Sequence, residues 1–229
     1  MQSTWVVGDI HGCARELEML LEQLDLQPGD RLLSAGDLFH RGPDPVGVLR
    51  ILQGLGNAFG MVMGNHEWAL MRRRKSGQGY DLRGDNRAAL DATALSVAEE
   101  LFSFLRQRPY WIRERCKGPA WEGVERNWLL VHGSVLPGRR VEDMRPRELV
   151  RLNRCLDRTD APVWHEAWEG PEFVVFGHAQ SAAGPHYTPD GELKCWGLDT
   201  GCVYGNRLTA LRLEDLALVE QPAFPSELP

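Results

Sequence analysis

The sequence predicts an α/β fold, and three observations carry that prediction. Short apolar runs alternate with helical stretches through the first third of the chain, giving a β-α-β-α-β rhythm. Each of these runs stops at a glycine followed by a polar residue. The 229 residues suffice for one well-buried domain and are too few for two comfortable ones, so residues 1–229 are read as a single domain.

Trp5-Val6-Val7 is a short strand ending at Gly8-Asp9. Ala14 to Leu24 places Leu17, Leu20, Leu21 and Leu24 at helical spacing. Pro28-Gly29-Asp30 is a turn, and Arg31 to Ala35 is a second strand, again ending at Gly-Asp. Asp44 before Pro45 is a helix start, an N-cap followed by proline at the first helical position. Ala58 to Met63 is a third strand, ending at Gly64-Asn65-His66-Glu67. From Trp68 to about Gln107 the chain turns polar and Arg-rich, then Ala/Leu-rich from Arg87 to Leu105, as a helical insertion would. Trp128 to Val131 and Phe173 to Phe176 are further strands, ending at His132 and at Gly177-His178. Leu193 to Leu198, Cys202-Val203-Tyr204 and Leu208 to Leu213 read as an antiparallel hairpin closing a second sheet. The tail beyond Glu220, with three prolines, reads as loose.

Composition narrows the class of partner. The chain is 43% hydrophobic and 25% charged, with a net charge of -6, which speaks against a dedicated nucleic-acid or membrane-surface binder. No apolar run approaches the roughly 20 residues that span a bilayer, and no signal peptide precedes the first strand, so a cytoplasmic location is expected. The cysteines at 13, 116, 155, 195 and 202 are scattered and odd in number, so they are read as reduced thiols.

Six fragments carry the chemistry: Gly8-Asp9-Ile10-His11-Gly12, Gly36-Asp37, Arg41-Gly42, Gly64-Asn65-His66-Glu67, His132-Gly133 and Gly177-His178. Each ligand type falls just past the carboxyl end of an apolar strand, where the loops of open α/β sheets converge. Asp9 and His11 are two apart and can face one ion. Asp37 has two oxygens and can bridge two. Asn65 offers a neutral carbonyl oxygen, His132 and His178 imidazole nitrogens. Mixed nitrogen and oxygen donors without thiolate suit Mn, Fe or Zn. Two ions a few ångström apart supply a shared hydroxide at neutral pH and clamp phosphoryl oxygens. His66 is the natural general acid, since an ordinary histidine titrates near 6.5. Arg41, four residues after Asp37, can fork onto phosphate oxygens. Any one fragment alone reads more readily as a cap or a loop histidine; the ordered set does not.

On these residues the chain resembles the calcineurin-like metallophosphoesterases, in particular their phosphoprotein-phosphatase branch. That branch carries Gly-Asp-x-His-Gly, Gly-Asp-x-x-Asp-Arg-Gly, Gly-Asn-His-Glu, His-Gly and Gly-His, in this order. The resemblance covers nearly the whole chain and extends to compact bacterial and phage-type phosphatases and to symmetric diadenosine tetraphosphatases, including Leu198 to Cys202 and Leu208-Thr209. It implies two stacked sheets flanked by helices. It implies one metal held by Asp9, His11 and Asp37, another by Asp37, Asn65, His132 and His178, and manganese as the usual ion. It implies phosphate binding by Arg41, Asn65 and an arginine following an asparagine, which here is Arg154, with Arg151 in reserve. Gln180 stands where the phosphodiesterase branches have a second histidine, which favours the phosphatase branch.

One position departs sharply. The signature has Asp before Arg-Gly, a carboxylate that orients the catalytic histidine; here it is His40. A histidine cannot supply that negative charge. His66 is therefore expected to be a weaker acid, biasing the enzyme toward nucleotide anhydrides and aryl phosphates. Glu67, in the form typical of the phosphatases, argues the other way. The first reading is hydrolysis of phosphomonoesters, phosphoproteins included; the second is symmetric hydrolysis of dinucleoside tetraphosphates; the third is a silent scaffold, disfavoured by the intact ligand set. Arg72-Arg73-Arg74-Lys75 reads as a solvated helix end before it reads as a grip on distal phosphates. One of the tryptophans near the groove would serve to stack an adenine, but the sequence does not say which.

Overall fold

The computed structural model describes residues 2–75, 97–155 and 160–225, without the side chains of residues 73–75. Two five-stranded sheets form its centre. The first contains β1 (Thr4–Val7), β2 (Arg31–Ser34), β3 (Phe59–Met61), β9 (Arg207–Arg212) and β10 (Leu218–Pro222), in the order β10-β9-β1-β2-β3. The second contains β4 (Trp111–Lys117), β5 (Glu125–Val131), β6 (Phe173–Phe176), β7 (Gly184–Tyr187) and β8 (Leu193–Gly197), in the order β4-β5-β6-β8-β7. β1, β2 and β3 run parallel, as do β5, β6 and β8, so each sheet delivers several carboxyl ends to one edge.

The strands are apolar on both faces because both faces are covered. Val6, Leu33, Trp128, Leu130, Phe173 and Val175 fill the layer between the sheets. Their neighbours in the same strands point outward. Trp5, Val7 and Leu32 meet α1 (Ala14–Leu24), α2 (Pro45–Gly54) and α4 (Ala98–Leu105) through Leu17, Leu20, Val48, Leu52 and Phe102. Leu129, Val131, Val174 and Phe176 meet α5 (Pro146–Arg151) and the surrounding loops through Leu149, Val150, Trp164 and Trp168. The result is the predicted α/β arrangement of two stacked sheets with helices outside. Asp44 caps α2 by accepting from Gly47 N at 2.7 Å, as its place before Pro45 predicts.

Three expectations need correction or bounding. Leu193 to Leu198 and Leu208 to Leu213 do not pair as a hairpin. β8 lies parallel to β6 in the second sheet, while β9 lies antiparallel to β1 and β10 in the first. Between them Cys202–Tyr204 is a 3-10 turn, not a strand, and it carries the chain from one sheet to the other. The tail is tied down further than expected, since β10 continues to Pro222. The helical insertion appears at its two ends, as α3 (Asn65–Lys75) and α4; its middle, 76–96, lies outside the described residues.

Candidate metal centre

The carboxyl ends of β1, β2 and β3 meet those of β5 and β6 where the two sheets abut. Asp9 and His11 follow β1, Asp37 follows β2, and Asn65 opens α3 just beyond β3; His132 follows β5 and His178 follows β6. The loops are stitched to one another by backbone. His11 N and Gly12 N donate to Asp37 O and Leu38 O at 2.8 and 2.7 Å, and Gly177 N donates to His132 O at 3.0 Å. Gly42 has to be glycine, because a Cβ there would fall 2.0 Å from the carbonyl oxygen of His11. His11, Asp37, Arg41 and His178 all have positive φ, at 48°, 52°, 79° and 67°. Non-glycine residues adopt that conformation at a cost of about 1–3 kcal/mol each. Here the sharp turns fold the side chains back over the strand ends.

Asp37 is the hub. Its Oδ2 lies 3.4 Å from His132 Nε2, 3.7 Å from His11 Nε2 and 3.9 Å from His66 Nε2. Its Oδ1 accepts from His66 N at 3.0 Å. Two ligand groupings share it: His11, Asp37 and His66 on one side, Asp37, His132 and His178 on the other, the ligand atoms of each lying within 4.8 Å of one another. Asn65 Oδ1 joins the second, 2.9 Å from both His132 Nε2 and His178 Nδ1. Asp9 reaches the cluster by a different route, accepting from His178 N at 3.2 Å. A third grouping, Cys13, Glu16 and Cys202, is buried beside α1 and carries thiols that the centre lacks.

The tautomers test whether this donor set fits metal ions. A carbonyl oxygen only accepts, so each ring nitrogen facing one carries hydrogen. His132 Nδ1 faces Ala35 O at 2.8 Å, His11 Nδ1 faces His40 O at 3.1 Å, and His178 Nε2 faces Arg151 O at 3.2 Å. The second nitrogens of His132 and His178 therefore face Asn65 Oδ1, and that of His132 also Asp37 Oδ2, so that a proton or a metal has to lie between them, while His11 Nε2 accepts from Arg41. Lone pairs facing acceptors repel unless a cation lies among them, so the donor set fits divalent metals of the Mn, Fe or Zn kind.

The electrostatics point the same way. Burial pushes the His132 imidazolium down, but Asp37 and Asp9 outweigh it and hold its pKa at about 10. Burial drops His11 to about 3 and, with His132 nearby, His178 to about 4. Burial raises Asp37 as well, yet His132 and His11 pull it well below the carboxylate range. Asp9 is raised by burial and by Asp199. This field favours positive charge at the centre of the cluster, whether borne by a proton or a metal.

The other predicted residues are distributed as follows. Arg41 Nη1 lies 3.0 Å from His11 Nε2, at the edge of the cluster. The His66 ring sits between His11 and His40, with ring centres 5.2 and 4.8 Å away. His40 thus occupies the side of His66 where the resemblance expects a carboxylate. Arg154 is not gathered in: its Nη1 donates to Ala161 O at 2.6 Å, and no hydrogen bond or ion pair among the described residues joins it to the cluster. Arg151 comes nearer, through its carbonyl on His178. Arg72 lies over the Trp68 ring at 4.7 Å, while the side chains of Arg73, Arg74 and Lys75 lie outside the described residues.

Two carboxylates have structural roles that sequence reasoning did not assign. Glu67 is fully buried and accepts from Asp37 N, Leu38 N and Gly64 N at 2.9, 3.0 and 3.2 Å, locking two loops together. Burial and Asp37 push its pKa up to about 7. Asp199 is buried near Asp9, raised to about 6 by burial, and accepts from Gly201 N at 3.1 Å. A carboxylate bracketed by glycine, as in Asp199-Thr200-Gly201, was its only signal.

The calcineurin-like phosphoesterase family matches residues 3–205. The chain belongs to this family. It is accordingly a metal-dependent hydrolase. It is 30% identical to a protein named "Bis(5'-nucleosyl)-tetraphosphatase, symmetrical" from Erwinia tasmaniensis, over 96% of this chain and 97% of that one. A protein of the same name from Serratia proteamaculans is 31% identical over 96% and 94%. Among solved structures, one described as a candidate diadenosine tetraphosphatase superposes with a TM-score of 0.76 at 29% identity, covering 98% of this chain and 95% of the other. A serine/threonine phosphatase from Saccharomyces cerevisiae shares the fold, at a TM-score of 0.52 and 15% identity over 100% and 81%.

Proposed function

We propose that this calcineurin-like phosphoesterase hydrolyses dinucleoside tetraphosphates symmetrically, using Asp9, His11, Asp37, Asn65, His132 and His178 to hold two divalent ions, manganese first among them. The observation that carries this reading is likeness along almost the whole chain to proteins named symmetrical bis(5'-nucleosyl)-tetraphosphatases. It reverses the order drawn from sequence alone, where phosphomonoesters came first. His40 beside His66 supports the reversal, because a nucleoside diphosphate leaves as a stable anion and asks little of a proton donor.

When bound, the two ions activate water and neutralise phosphoryl oxygens. The chain's own residues do the rest. Arg41, held at the rim by its turn and by Tyr204, takes oxygens of the phosphate chain. His66, 3.9 Å from Asp37 Oδ2, stands where a departing oxygen can receive a proton. Glu67 keeps the Asp37 and Gly64 loops in register. Cleavage of the central P–O–P link releases two identical nucleoside diphosphates. Arg154 spends one guanidinium N–H on Ala161 O and keeps the others for phosphate, with Arg151, whose carbonyl faces His178, in reserve.

The reading also takes residues 1–229 as one domain, supported by the shared layer between the sheets, and places the enzyme in the cytoplasm with its cysteines reduced. No helix among the described residues is long and apolar enough to cross a membrane. The test is turnover of diadenosine tetraphosphate against a phosphopeptide and an aryl phosphate under the same manganese conditions. The expected outcome is two ADP per tetraphosphate and a higher kcat/KM than for either ester. A higher kcat/KM on the phosphopeptide would restore the first sequence-based reading.

A further inference from the structure

Trp128, Trp164 and Trp168 are buried and cannot serve as an adenine platform, and the half-buried Trp68 already has Arg72 over its ring. A tyrosine does have the placement. Tyr204 is 57% exposed, one of very few large apolar side chains left in solvent among the described residues. It stands at the centre's edge: the guanidinium carbon of Arg41 lies 5.7 Å from its ring centre, and Arg41 in turn touches His11.

The turn that presents Tyr204 is fixed. Gly201 and Gly205 bracket it with φ of 72° and 87°. Tyr204 N and Asn206 N both donate to Gly201 O, at 3.0 and 3.2 Å, and Gly205 N donates to Cys202 O at 3.0 Å. Cys202 anchors the turn in the core, and Val203 packs against the same core. The turn follows shortly after Asp199, the buried carboxylate whose charge raises the pKa of Asp9. An aromatic ring is thus presented to solvent on a fixed backbone turn, next to a cationic side chain at the mouth of a phosphate-cleaving centre. Stacking surfaces for bases have these properties: a π-face, little flexibility, and an adjacent positive charge for the phosphate.

The geometry points to Tyr204 as the nucleobase platform, with a purine stacked on its open face while Arg41 takes the adjoining phosphate. The inference rests on the nucleotide reading for the identity of its ligand. Every base has a π-face, so the platform selects nucleotides over bare phosphate chains rather than one base over another.

The test uses the manganese-loaded full chain and equilibrium binding of two probes, ADP and inorganic pyrophosphate, followed by calorimetry. The ratio of their affinities isolates the base, because a displaced Arg41 affects both probes alike. In the wild-type chain ADP should bind more tightly. In Tyr204→Leu that preference should fall by roughly 5- to 150-fold, the range that stacking contributes, and Tyr204→Trp should keep it. An unchanged ratio in Tyr204→Leu, a wild-type chain without the preference, or a Tyr204→Trp chain that loses it overturns the proposal. Tetraphosphate turnover is scored separately. A Tyr204-dependent ADP preference in a chain that leaves the tetraphosphate intact would sink the substrate reading and keep the platform.

Discussion

Replacing Glu67 should unfasten the centre without touching a predicted ligand. Its two oxygens accept three buried N–H groups, from Asp37, Leu38 and Gly64. In Glu67→Ala all three lose their acceptor. A buried, unsatisfied donor costs about 1–3 kcal/mol. Two terms reduce the sum: water can enter the space left, and the repulsion between Glu67 and Asp37 disappears. The loss should therefore sit near the lower bound, about 3 kcal/mol. Glu67→Gln separates hydrogen bonding from charge. Its single amide oxygen can still serve Asp37 N and Gly64 N, which share one oxygen now, but its NH2 must then face Leu38 N. One orphaned donor predicts a loss of about 1–3 kcal/mol, smaller than for alanine. Urea unfolding in excess chelator measures both, free of any metal contribution. If Glu67→Ala stays within about 1 kcal/mol of wild type, the three contacts do not hold the loops as argued. If Glu67→Gln is as damaging as Glu67→Ala, counting acceptors is the wrong account.

Further outcomes follow from the same geometry. Gly64→Ala would place a Cβ 2.3 Å from the Asp37 backbone nitrogen; the forced shift should cost about 1–3 kcal/mol in chelator and abolish turnover, and a fully active variant would refute it. Manganese at about a hundred times its dissociation constant should stabilise the fold by about 2.7 kcal/mol and raise Tm by roughly 5–10 °C, because the donors it needs are gathered only in the folded chain; calorimetry showing no shift would sink the metal assignment. His40→Asp should raise kcat/KM for alkyl phosphates by about 100-fold or more, with a far smaller gain on aryl phosphates, if the missing carboxylate limits proton donation by His66. An equal gain on both across a leaving-group series would remove His40 from the account.

The strand ends were legible because an apolar run that stops at glycine and a metal-ligating side chain is a local signal. Val6-Val7-Gly8-Asp9 and Val175-Phe176-Gly177-His178 are both of that kind. Pairing was less legible. The runs at Leu193 and Leu208 look alike, and nothing local says that the turn at Cys202–Tyr204 sends them to different sheets. β4 was missed because Arg113, Glu114, Arg115 and Lys117 hide an edge strand whose apolar partners are spaced along one face. The orienting groups were invisible for a different reason. Ala35 O and Arg151 O set the tautomers of His132 and His178, and a backbone carbonyl has no letter in the sequence. Positive φ at His11, Asp37, Arg41 and His178 is equally silent: Asp and His adopt it more readily than most side chains, but far too seldom for the residue type to announce it.

The Gly64-Asn65-His66-Glu67 fragment is contiguous, whereas the other ligands come singly or in a loop, and helix geometry explains why. Asn65 opens α3, with Trp68 N already donating to Gly64 O at 3.0 Å. Successive side chains at a helix start diverge by about 100°. Asn65 consequently turns toward His132 and His178, His66 toward His11 and His40, and Glu67 into the backbone of the Asp37 loop. A strand would have sent alternate residues to opposite faces and could not have served three directions from three neighbours. Gly64 completes the arrangement by leaving room for Asp37, whose Oδ1 then accepts from His66 N across the gap. The side chains of Asn65, His66 and Glu67 are thus set in three directions by one turn of helix. That turn is tied to the Asp37 loop through both His66 N and Glu67, so a shift of Asp37 is felt by all three.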